Sequence, residues 1–329
     1  MTRHNVASAG IFGLIASLAL ALYLGRSYLG PLTIPRIAGS YGGAGFTTGR
    51  QEYPRRATDA EGYELKLAKP TRRISSQFWS IDEYVYSVVP PQNVVSVSES
   101  AYDRSFSNVY EWAERFHPAI TSDPEAVLKL DPDLVLVSSY GRADFTDLLR
   151  KAGVPVFRMF TEFASLEEVD RTILLTGYLT GEDAAASRVH EDFQGAIRRA
   201  KSRRPATVVA PRILGYSAGN SYGDQTLFND IVGMLGGINV GAENGLHGYS
   251  SVSTEQIVHW NPEWIISGAP RGQSETTLRR LLNDPAIALT AAAHNGQVLV
   301  LENNVFLPMS PFTTLLLDAL SEALYGKKS

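Results

Sequence analysis

Residues 124–137 read PEAVLKLDPDLVLV and residues 254–267 read TEQIVHWNPEWIIS, and the two stretches align without a gap. In each, apolar residues at helical spacing precede an Asp-Pro or Asn-Pro pair, and a β-rich apolar run follows it. A residue before proline is kept out of the α-helical region, so this pair ends a short helix. The apolar run suits a strand that is buried on both faces. The chain therefore contains the same helix–turn–strand unit twice.

Further strands and helices are expected around both copies of this unit. The expected strands are residues 94–97, 154–157, 208–214 and 297–301, and the expected helices are residues 144–151, 227–235 and 275–282. A chain that alternates strands and helices forms mainly parallel sheets with helices on both faces. The sequence thus predicts the α/β class, with two similar lobes.

A long helix is expected between the two lobes, from about residue 183 to residue 201. Acidic residues open it and basic residues close it, as suits the helix macrodipole. At about 1.5 Å per residue it spans roughly 28 Å, the width of a domain. We therefore expect an N-terminal lobe at residues 63–180, a spanning helix at residues 181–204 and a C-terminal lobe at residues 205–329. One stiff helix between lobes permits only a small relative motion.

The N-terminal segment is apolar and sets the compartment. Residues 6–25 read VASAGIFGLIASLALALYLG, without a charged residue, between His4 and Arg26. About 20 apolar residues can span a bilayer, and an apolar run after a weakly basic start is also typical of a secretory signal. The sequence leaves a cleaved signal and an uncleaved membrane anchor open for residues 1–26, and either one exports the rest of the chain. Residues 27–62, rich in glycine and without apolar periodicity, predict a flexible tether.

Composition excludes several classes of protein. The 30 Lys and Arg residues against 34 Asp and Glu residues give a net charge of -4, which argues against a nucleic-acid-binding protein. Because the chain has no cysteine, it has no disulfide, no thiolate metal site, no cysteine nucleophile and no lipid attached through an N-terminal cysteine. The chain is expected to fold as an exported globular protein without covalent crosslinks.

The order and spacing of these features resemble the helical-backbone class, or class III, of ABC-transporter substrate-binding proteins, which take iron-siderophores, haem or cobalamin. The matching stretches are residues 123–135, 253–262 and 295–298, and the resemblance covers about residues 64–321. It implies an extracytoplasmic solute-binding protein, in the periplasm or at the outer face of the cytoplasmic membrane. Such a protein captures its ligand between two lobes and delivers it to an ABC permease dimer with its ATPase.

The resemblance also implies how the protein is assembled. It would be a monomer with no covalently bound cofactor, no metal site of its own and no catalytic residue. Its transported ligand would be a metal chelate or a corrinoid.

Candidate ligand-binding residues follow the expected strands, because ligands of open α/β sheets bind beyond the carboxyl ends of strands. Tyrosine and phenylalanine offer apolar faces, and arginine offers a bidentate fork to anions. The candidates at strand ends are Ser98, Glu99, Tyr102, Tyr140, Arg142, Phe160, Tyr216, Asn220, Tyr222 and Arg271. His247 and Tyr249 lie in the glycine-rich stretch 241–251, which could reach the cleft. The resemblance adds Phe306, which is similar to an aromatic residue in a late loop at the family's cleft rim. Arg142 and Arg271 take comparable places after the duplicated strands, which favours a ligand with anionic groups. His247 is also a candidate axial ligand for a metal within the transported chelate.

Glu125 and Glu255 occupy matching positions in the two repeated helices. The resemblance implies that each meets arginines of one permease subunit, and such charges fix orientation more than affinity. A local explanation exists for Glu125, because Ser122 and Glu125 have the spacing of a capping box. It does not explain the same residue type at the matching position of the other lobe.

Two alternatives remain open beside the transport function. Gly215–Gly219 read GYSAG, which matches the nucleophile elbow of serine hydrolases around Ser217. The elbow requires a helix directly after the serine, whereas the following residues read as a loop. We therefore expect no enzymatic activity. The second alternative is an anchored sensor that binds the ligand without a transporter.

Overall fold

A short antiparallel hairpin precedes the first lobe in a computed structural model, which describes residues 52–116, 123–207 and 209–326. The hairpin pairs β1 (Arg55–Thr58) with β2 (Glu64–Leu67). The expected apolar segment, residues 6–25, lies outside the described residues, as does most of the expected tether. Within the described ranges, no helix is long and apolar enough to cross a membrane.

The first lobe contains a four-stranded parallel sheet. Its strands are β3 (Ile74–Ser76), β4 (Val94–Ser96), β5 (Leu134–Ser138) and β6 (Val156–Met159), in the spatial order β4-β3-β5-β6. Its helices are Trp79–Val88, Tyr110–Ala113, Pro124–Lys129, Ala143–Lys151 and Leu166–Thr180, with 3₁₀ turns at Pro91–Asn93 and Glu99–Tyr102. All five residues of β5 are buried, as its unbroken apolar pattern predicts.

The second lobe contains a parallel sheet that is extended by an antiparallel hairpin. Its strands are β7 (Arg212–Ser217), β8 (Asn220–Tyr222), β9 (Ile238–Asn239), β10 (Tyr249–Ser251), β11 (Trp264–Ala269) and β12 (Val298–Glu302). Their order is β10-β8-β7-β11-β12, with β9 also beside β7, and β8 and β10 are the antiparallel members. The helices are Leu227–Met234, Val240–Glu243, Thr254–Trp260, Ser274–Leu282, Ala291–His294, Asn303–Phe306 and Thr313–Tyr325, with a 3₁₀ turn at Ile287–Leu289.

One long helix, Asp183–Arg203, connects the lobes. It packs against Leu166–Thr180 of the first lobe and against the C-terminal helix Thr313–Tyr325. A single apolar cluster also runs from Ile74 of the first sheet to Ile266 of the second. The predicted fold class, two α/β lobes on one spanning helix, is therefore confirmed, and shared burial makes their joint stiff.

Both predicted helix–turn–strand units are present, and their turns have the same geometry. Asp131 and Asn261, the residues before the two prolines, have φ angles of 46° and 45°. These values lie in the left-handed region, where asparagine and aspartate are among the better tolerated residues. The repeat in sequence is thus a repeat in backbone conformation.

A matched arginine holds each unit at its turn. Arg73 and Arg212 each donate two side-chain hydrogen bonds to carbonyl oxygens at the end of the short helix in their lobe. The acceptors are Leu130 and Asp131 in the first lobe, at 2.5 and 2.8 Å, and Trp260 and Asn261 in the second, at 2.9 and 3.0 Å. These bonds fix the orientation of both short helices relative to their sheets.

The tether does not extend to residue 62 as expected, because Arg55 lies in β1 and is 2% exposed. Its guanidinium lies over the rings of Tyr53 and Tyr178, 4.7 and 4.9 Å from their centroids. It also pairs with both carboxylate oxygens of Asp183, at 3.1 and 2.7 Å. The chain is therefore fixed to the first turn of the spanning helix before the first lobe begins.

The strand expected at residues 208–214 lies further along the chain, at Arg212–Ser217. Pro211 has no N–H to donate to a sheet ladder, so the strand begins after it. Val209, which the expectation placed in the strand, is 88% exposed. Tyr216 consequently lies in β7 itself and not in the connection that follows it.

Candidate ligand-binding cleft

Two sets of hydrogen bonds join the lobes near the carboxyl ends of strands, and the space between them is the candidate cleft. On one side, Arg271 after β11 donates from its backbone N–H to the Ser105 carbonyl at 3.2 Å and from its side chain to the Ser107 carbonyl at 3.3 Å. On the other side, the Leu166 N–H donates to Asp230 Oδ2 at 2.8 Å. Both first-lobe segments follow strands of the first sheet, so the space between these contacts lies where the repeated folds predict a ligand.

The first lobe presents a tyrosine–glutamate pair to this cleft. Tyr140, which follows β5, is 47% exposed, and its hydroxyl donates to Glu162 Oε2 at 2.5 Å. Glu162 follows β6 and is exposed. Sequence reasoning identified Tyr140 and Phe160 but missed Glu162, which is two residues beyond Phe160 and subject to the same strand-end rule.

The second lobe presents an aromatic cluster opposite this pair. The Tyr222 ring lies 5.4 Å from the rings of both Tyr249 and Phe306, edge to face in each case. Such pairs add to the energy of simple burial. Tyr249 is 37% exposed, which leaves part of its ring open to the cleft.

Electrostatic interactions across the cleft reach Tyr249 from the first lobe. Protein surrounds its hydroxyl on most sides, and this burial is the main cause that raises the pKa of Tyr249. Smaller contributions in the same direction come from Tyr222 and then, across the cleft, from Glu162 and Tyr140. Tyr140 and Glu162 of the first lobe are therefore close enough to Tyr249 of the second lobe to interact with it electrostatically.

His247 is oriented by a carboxylate at the edge of the aromatic cluster. Its Nδ1 lies 2.7 Å from Asp224 Oδ1, and its side chain is 75% exposed. A carboxylate on Nδ1 leaves Nε2 as the nitrogen available to a hydrogen-bond partner or a metal. Within the described ranges, no group of three or more histidine, aspartate or glutamate residues is placed to hold a metal ion by itself.

A second aromatic group, on the first lobe, escaped sequence reasoning. Trp79 lies edge to face with Phe106, 5.8 Å between centroids, and directly follows Phe78. Phe78 and Trp79 come just after β3. The sequence of β3, Ile-Ser-Ser, has no apolar run, although both serines are buried. The missing strand signal hid the aromatic residues at its carboxyl end.

Several predicted site residues are not free to contact a ligand in the cleft. Ser98 is 6% exposed, and its hydroxyl donates to Asp82 at 2.5 Å. Phe306 is 5% exposed beneath Tyr222. Tyr216 packs with the outer apolar cluster of the second lobe. The sequence places these three residues near strand ends, but their side chains pack behind the sheet edge. Their position in the chain therefore does not make them accessible to a ligand.

The remaining candidates lie in more open positions. Tyr102 is half-buried, with its hydroxyl bonded to the Phe116 carbonyl, and Phe160 is half-buried. Glu99 is exposed, and Asn220 is partly exposed in the β7–β8 hairpin.

Both predicted anion-binding arginines already have partners. Arg142 pairs with Asp144, two residues along the chain, with Nε 3.0 Å from Oδ1. Arg271 makes the inter-lobe bonds given above, lies 5.0 Å over the Tyr110 ring and has Nε 3.7 Å from Glu302 Oε2. Neither arginine therefore provides an unmatched positive charge to the cleft.

Two buried carboxylates lie behind the cleft on the helix Trp79–Val88. Burial raises the pKa of Asp82 and that of Glu83 to about 7, although hydrogen bonds oppose the shift. Glu83 accepts from Ser310 of the second lobe at 2.5 Å and from Asn108 at 2.9 Å. It thus helps to join the lobes.

Because the pKa values of Asp82 and Glu83 are raised, we expect the free energy of unfolding to fall as pH rises. An unfolded carboxyl group titrates near pH 4, so between about pH 4 and pH 7 the folded state holds protons that the unfolded state has lost. The unfolding free energy of the unchanged protein decreases between pH 5 and pH 8. We expect Glu83→Gln, which keeps hydrogen-bonding capacity, to make this decrease smaller by about 2 kcal/mol. Urea unfolding at both pH values measures the decrease in unfolding free energy. If this decrease in Glu83→Gln equals that in the exposed control Glu275→Gln, the prediction is wrong.

Ser217 does not lie at a nucleophile elbow. Ala218 and Gly219 have φ angles of 50° and 81° and form the tight turn between β7 and β8. Two positive φ angles in a two-residue connection are typical of a hairpin. A strand, and not a helix, therefore follows Ser217, which removes the geometry on which the hydrolase alternative depended.

A cavity of about 480 Å³ lies against the spanning helix, and Leu166 and Asp230, which bond between the lobes, are part of its wall. Its lining includes Glu167, Ile197 and Lys201. It contains none of the cleft tyrosines.

Comparison with known proteins agrees with this architecture. Residues 74–305 match the periplasmic binding protein family, and the chain belongs to that family. A cobalamin-binding protein of Halobacterium salinarum is 29% identical over 184 residues, which are 55% of this chain and 50% of that protein. The chain thus spans about half the length of the curated relatives it matches.

Solved structures share the fold at low sequence identity. The periplasmic haem-binding protein RhuT from Roseiflexus sp. RS-1, in its apo form, has a TM-score of 0.64 at 23% identity, over 78% of this chain and 98% of that chain. The molybdate periplasmic binding protein MolA of Haemophilus influenzae, bound to molybdate, has a TM-score of 0.68 at 16% identity, over 82% and 91% of the two chains. These neighbours bind chemically different solutes on one scaffold, so the fold alone does not define the ligand.

Proposed function

We propose that this protein is an extracytoplasmic solute-binding protein that captures a metal chelate or corrinoid between its lobes. The candidates are an iron-siderophore, haem or a cobalamin-type ligand, which it delivers to an ABC importer. The observation that carries the proposal is the pair of similar α/β lobes on one spanning helix, with a partly exposed tyrosine, Tyr140 or Tyr249, on each lobe. Family membership and the cobalamin-binding and haem-binding relatives support it.

The cleft suits a large, rigid and mainly apolar ligand. Tyr140 and Tyr249 offer partly exposed rings from opposite lobes, and flat aromatic faces bury ligand surface at a low entropic cost. The stiff joint keeps these faces at a nearly fixed separation, which reduces the ordering cost of binding. The protein would work as a monomer without enzymatic activity, and residues 6–25 would export it to the periplasm or hold it at the outer face of the membrane.

Two exposed glutamates would dock the loaded protein on the permease. Glu125 and Glu255 both occupy the second position of their short helices, after the N-caps Asp123 and Ser253. Asp123 accepts the capping bond in the first lobe, and Gln256, not Glu255, completes the capping box in the second. Neither glutamate is the N-cap of its helix, and both side chains are exposed and can meet a partner.

Ligand titration tests the proposal. Purified protein is titrated with cyanocobalamin, haemin and ferrichrome, and binding is followed by tryptophan fluorescence and ligand absorbance. We expect saturable one-to-one binding of at least one of them, weakened about tenfold or more by Tyr140→Ala or Tyr249→Ala. Tyr63→Ala is the matched control, because Tyr63 is 44% exposed on the hairpin that precedes the first lobe. Equal weakening by the control, or no binding, would rule out this cleft.

A further inference from the structure

We infer that the cleft selects a neutral or positively charged chelate and discriminates against one that presents carboxylates or catecholates to its centre. This inference rests on the proposed function and narrows its ligand class. It follows from the pairing of charges at the cleft edge, where the sequence alone had favoured an anionic ligand.

Every arginine in the connections around the cleft is matched by a carboxylate. The connections are residues 97–109, 139–142, 160–165, 223–226, 244–248, 270–273 and 303–312, and they contain no lysine. Their arginines are Arg104, Arg142 and Arg271, which pair with Glu114, Asp144 and Glu302. Rotation of Arg142 towards a ligand would leave Asp144 unpaired at the same edge, so the net charge there would not change.

The acidic residues of the same connections are not all neutralised. Glu162 accepts a hydrogen bond from the Tyr140 hydroxyl, but among the described residues it has no ion pair with lysine, arginine or histidine. Glu99 is exposed and is likewise without such a pair in the described part of the chain. The exposed Glu162, held by Tyr140 just after β6, therefore adds an unpaired negative charge to the cleft.

This charge changes the affinity for ligands of different charge by a predictable amount. One charge about 6 Å from the exposed Glu162, screened by physiological salt, changes a binding constant by about tenfold. An anionic ligand loses this factor and a cationic ligand gains it. A neutral ligand of the same shape gains the aromatic contacts without the repulsion.

Corrinoids and iron chelates of different charge test the inference. Cyanocobalamin is neutral, aquocobalamin is the same corrinoid with a positive charge, and haemin carries propionates; ferrichrome is neutral, whereas ferric enterobactin is an anionic catecholate. With the purified full-length protein, we expect aquocobalamin to bind about tenfold or more tightly than haemin, or ferrichrome about tenfold or more tightly than ferric enterobactin.

Glu162→Gln isolates the charge. It should reduce the ratio of the aquocobalamin and cyanocobalamin binding constants towards one, and it should bring the neutral and anionic chelates closer together by about tenfold. Glu275→Gln, an exposed outer-helix control, should leave both ratios unchanged.

Two results would overturn the inference in different ways. If haemin or ferric enterobactin binds most tightly, or if Glu162→Gln changes neither ratio, the charge selection is wrong while the solute-binding function stands. If none of the five compounds binds, the proposed function fails and the inference fails with it.

Discussion

Replacing both Glu125 and Glu255 with alanine should reduce ligand uptake by on the order of a hundredfold while ligand affinity stays within about twofold. Loss of one partner from a buried, hydrogen-bonded charge pair at an interface costs about 2 to 5 kcal/mol. If the glutamates dock as proposed, the double variant loses one such pair from each lobe, so a hundredfold reduction is the lower end of the expected effect. Neither residue lies in the cleft, so binding of the solute is not expected to change.

The local structure explains why these two side chains are suited to docking. Hydrogen bonds from the Glu255 backbone N–H and from Ser253 lower the pKa of Glu255, so it is charged at neutral pH. Arg73 and Arg212 hold the far ends of the two helices by equivalent bonds. Two charges on matching, fixed helices define an orientation, which one charge cannot do.

Uptake into proteoliposomes that contain the cognate importer measures this effect, with ligand titration in parallel. The matched control is Glu167→Ala/Glu275→Ala, one residue from each lobe. Both controls are exposed first-turn glutamates with an arginine four residues later. If the docking variant transports as well as the control, the glutamates do not dock, and a sensor without a transporter becomes the better explanation.

The repeated units were predictable because their signals are local. An Asn-Pro or Asp-Pro pair and an unbroken apolar run lie within fourteen residues of one another in each unit, and no distant contact is needed to interpret them. The stiff joint was predictable for the same reason, because charge and apolar periodicity along Asp183–Arg203 specify a helix.

Contacts between distant parts of the chain could not be predicted in this way. Arg73 holds a helix that begins some fifty residues later in the sequence, and β3 is a strand only because its buried serines pack between neighbours. The strand-end rule led to Tyr140, and the glycine-rich stretch before β10 led to Tyr249; both stay predicted ligand contacts. The pairing of Arg271 with Glu302 is a property of the folded cleft edge, and it is one of the contacts on which the proposed preference for a neutral or cationic ligand rests.

The largest expected loss of stability comes from Arg55→Met. The Arg55 and Asp183 side chains are 1% and 11% exposed, so the substitution leaves an almost buried carboxylate without its partner. Removing one member of a buried pair costs about 3 to 5 kcal/mol, because the desolvated charge that remains has no compensation. Urea unfolding of the two proteins measures the difference in free energy.

The neighbouring residue supplies a closely matched control. Arg56 pairs with Glu64 on the surface, where the two side chains are 59% and 57% exposed. Such pairs contribute about 0 to 1 kcal/mol, so Arg56→Met should change stability little. Arg55→Met/Asp183→Leu should recover part of the loss, since it removes the unpaired charge as well. Equal unfolding free energies for Arg55→Met and Arg56→Met would mean that β1 is not fixed to the spanning helix, and that the tether reaches residue 62 after all.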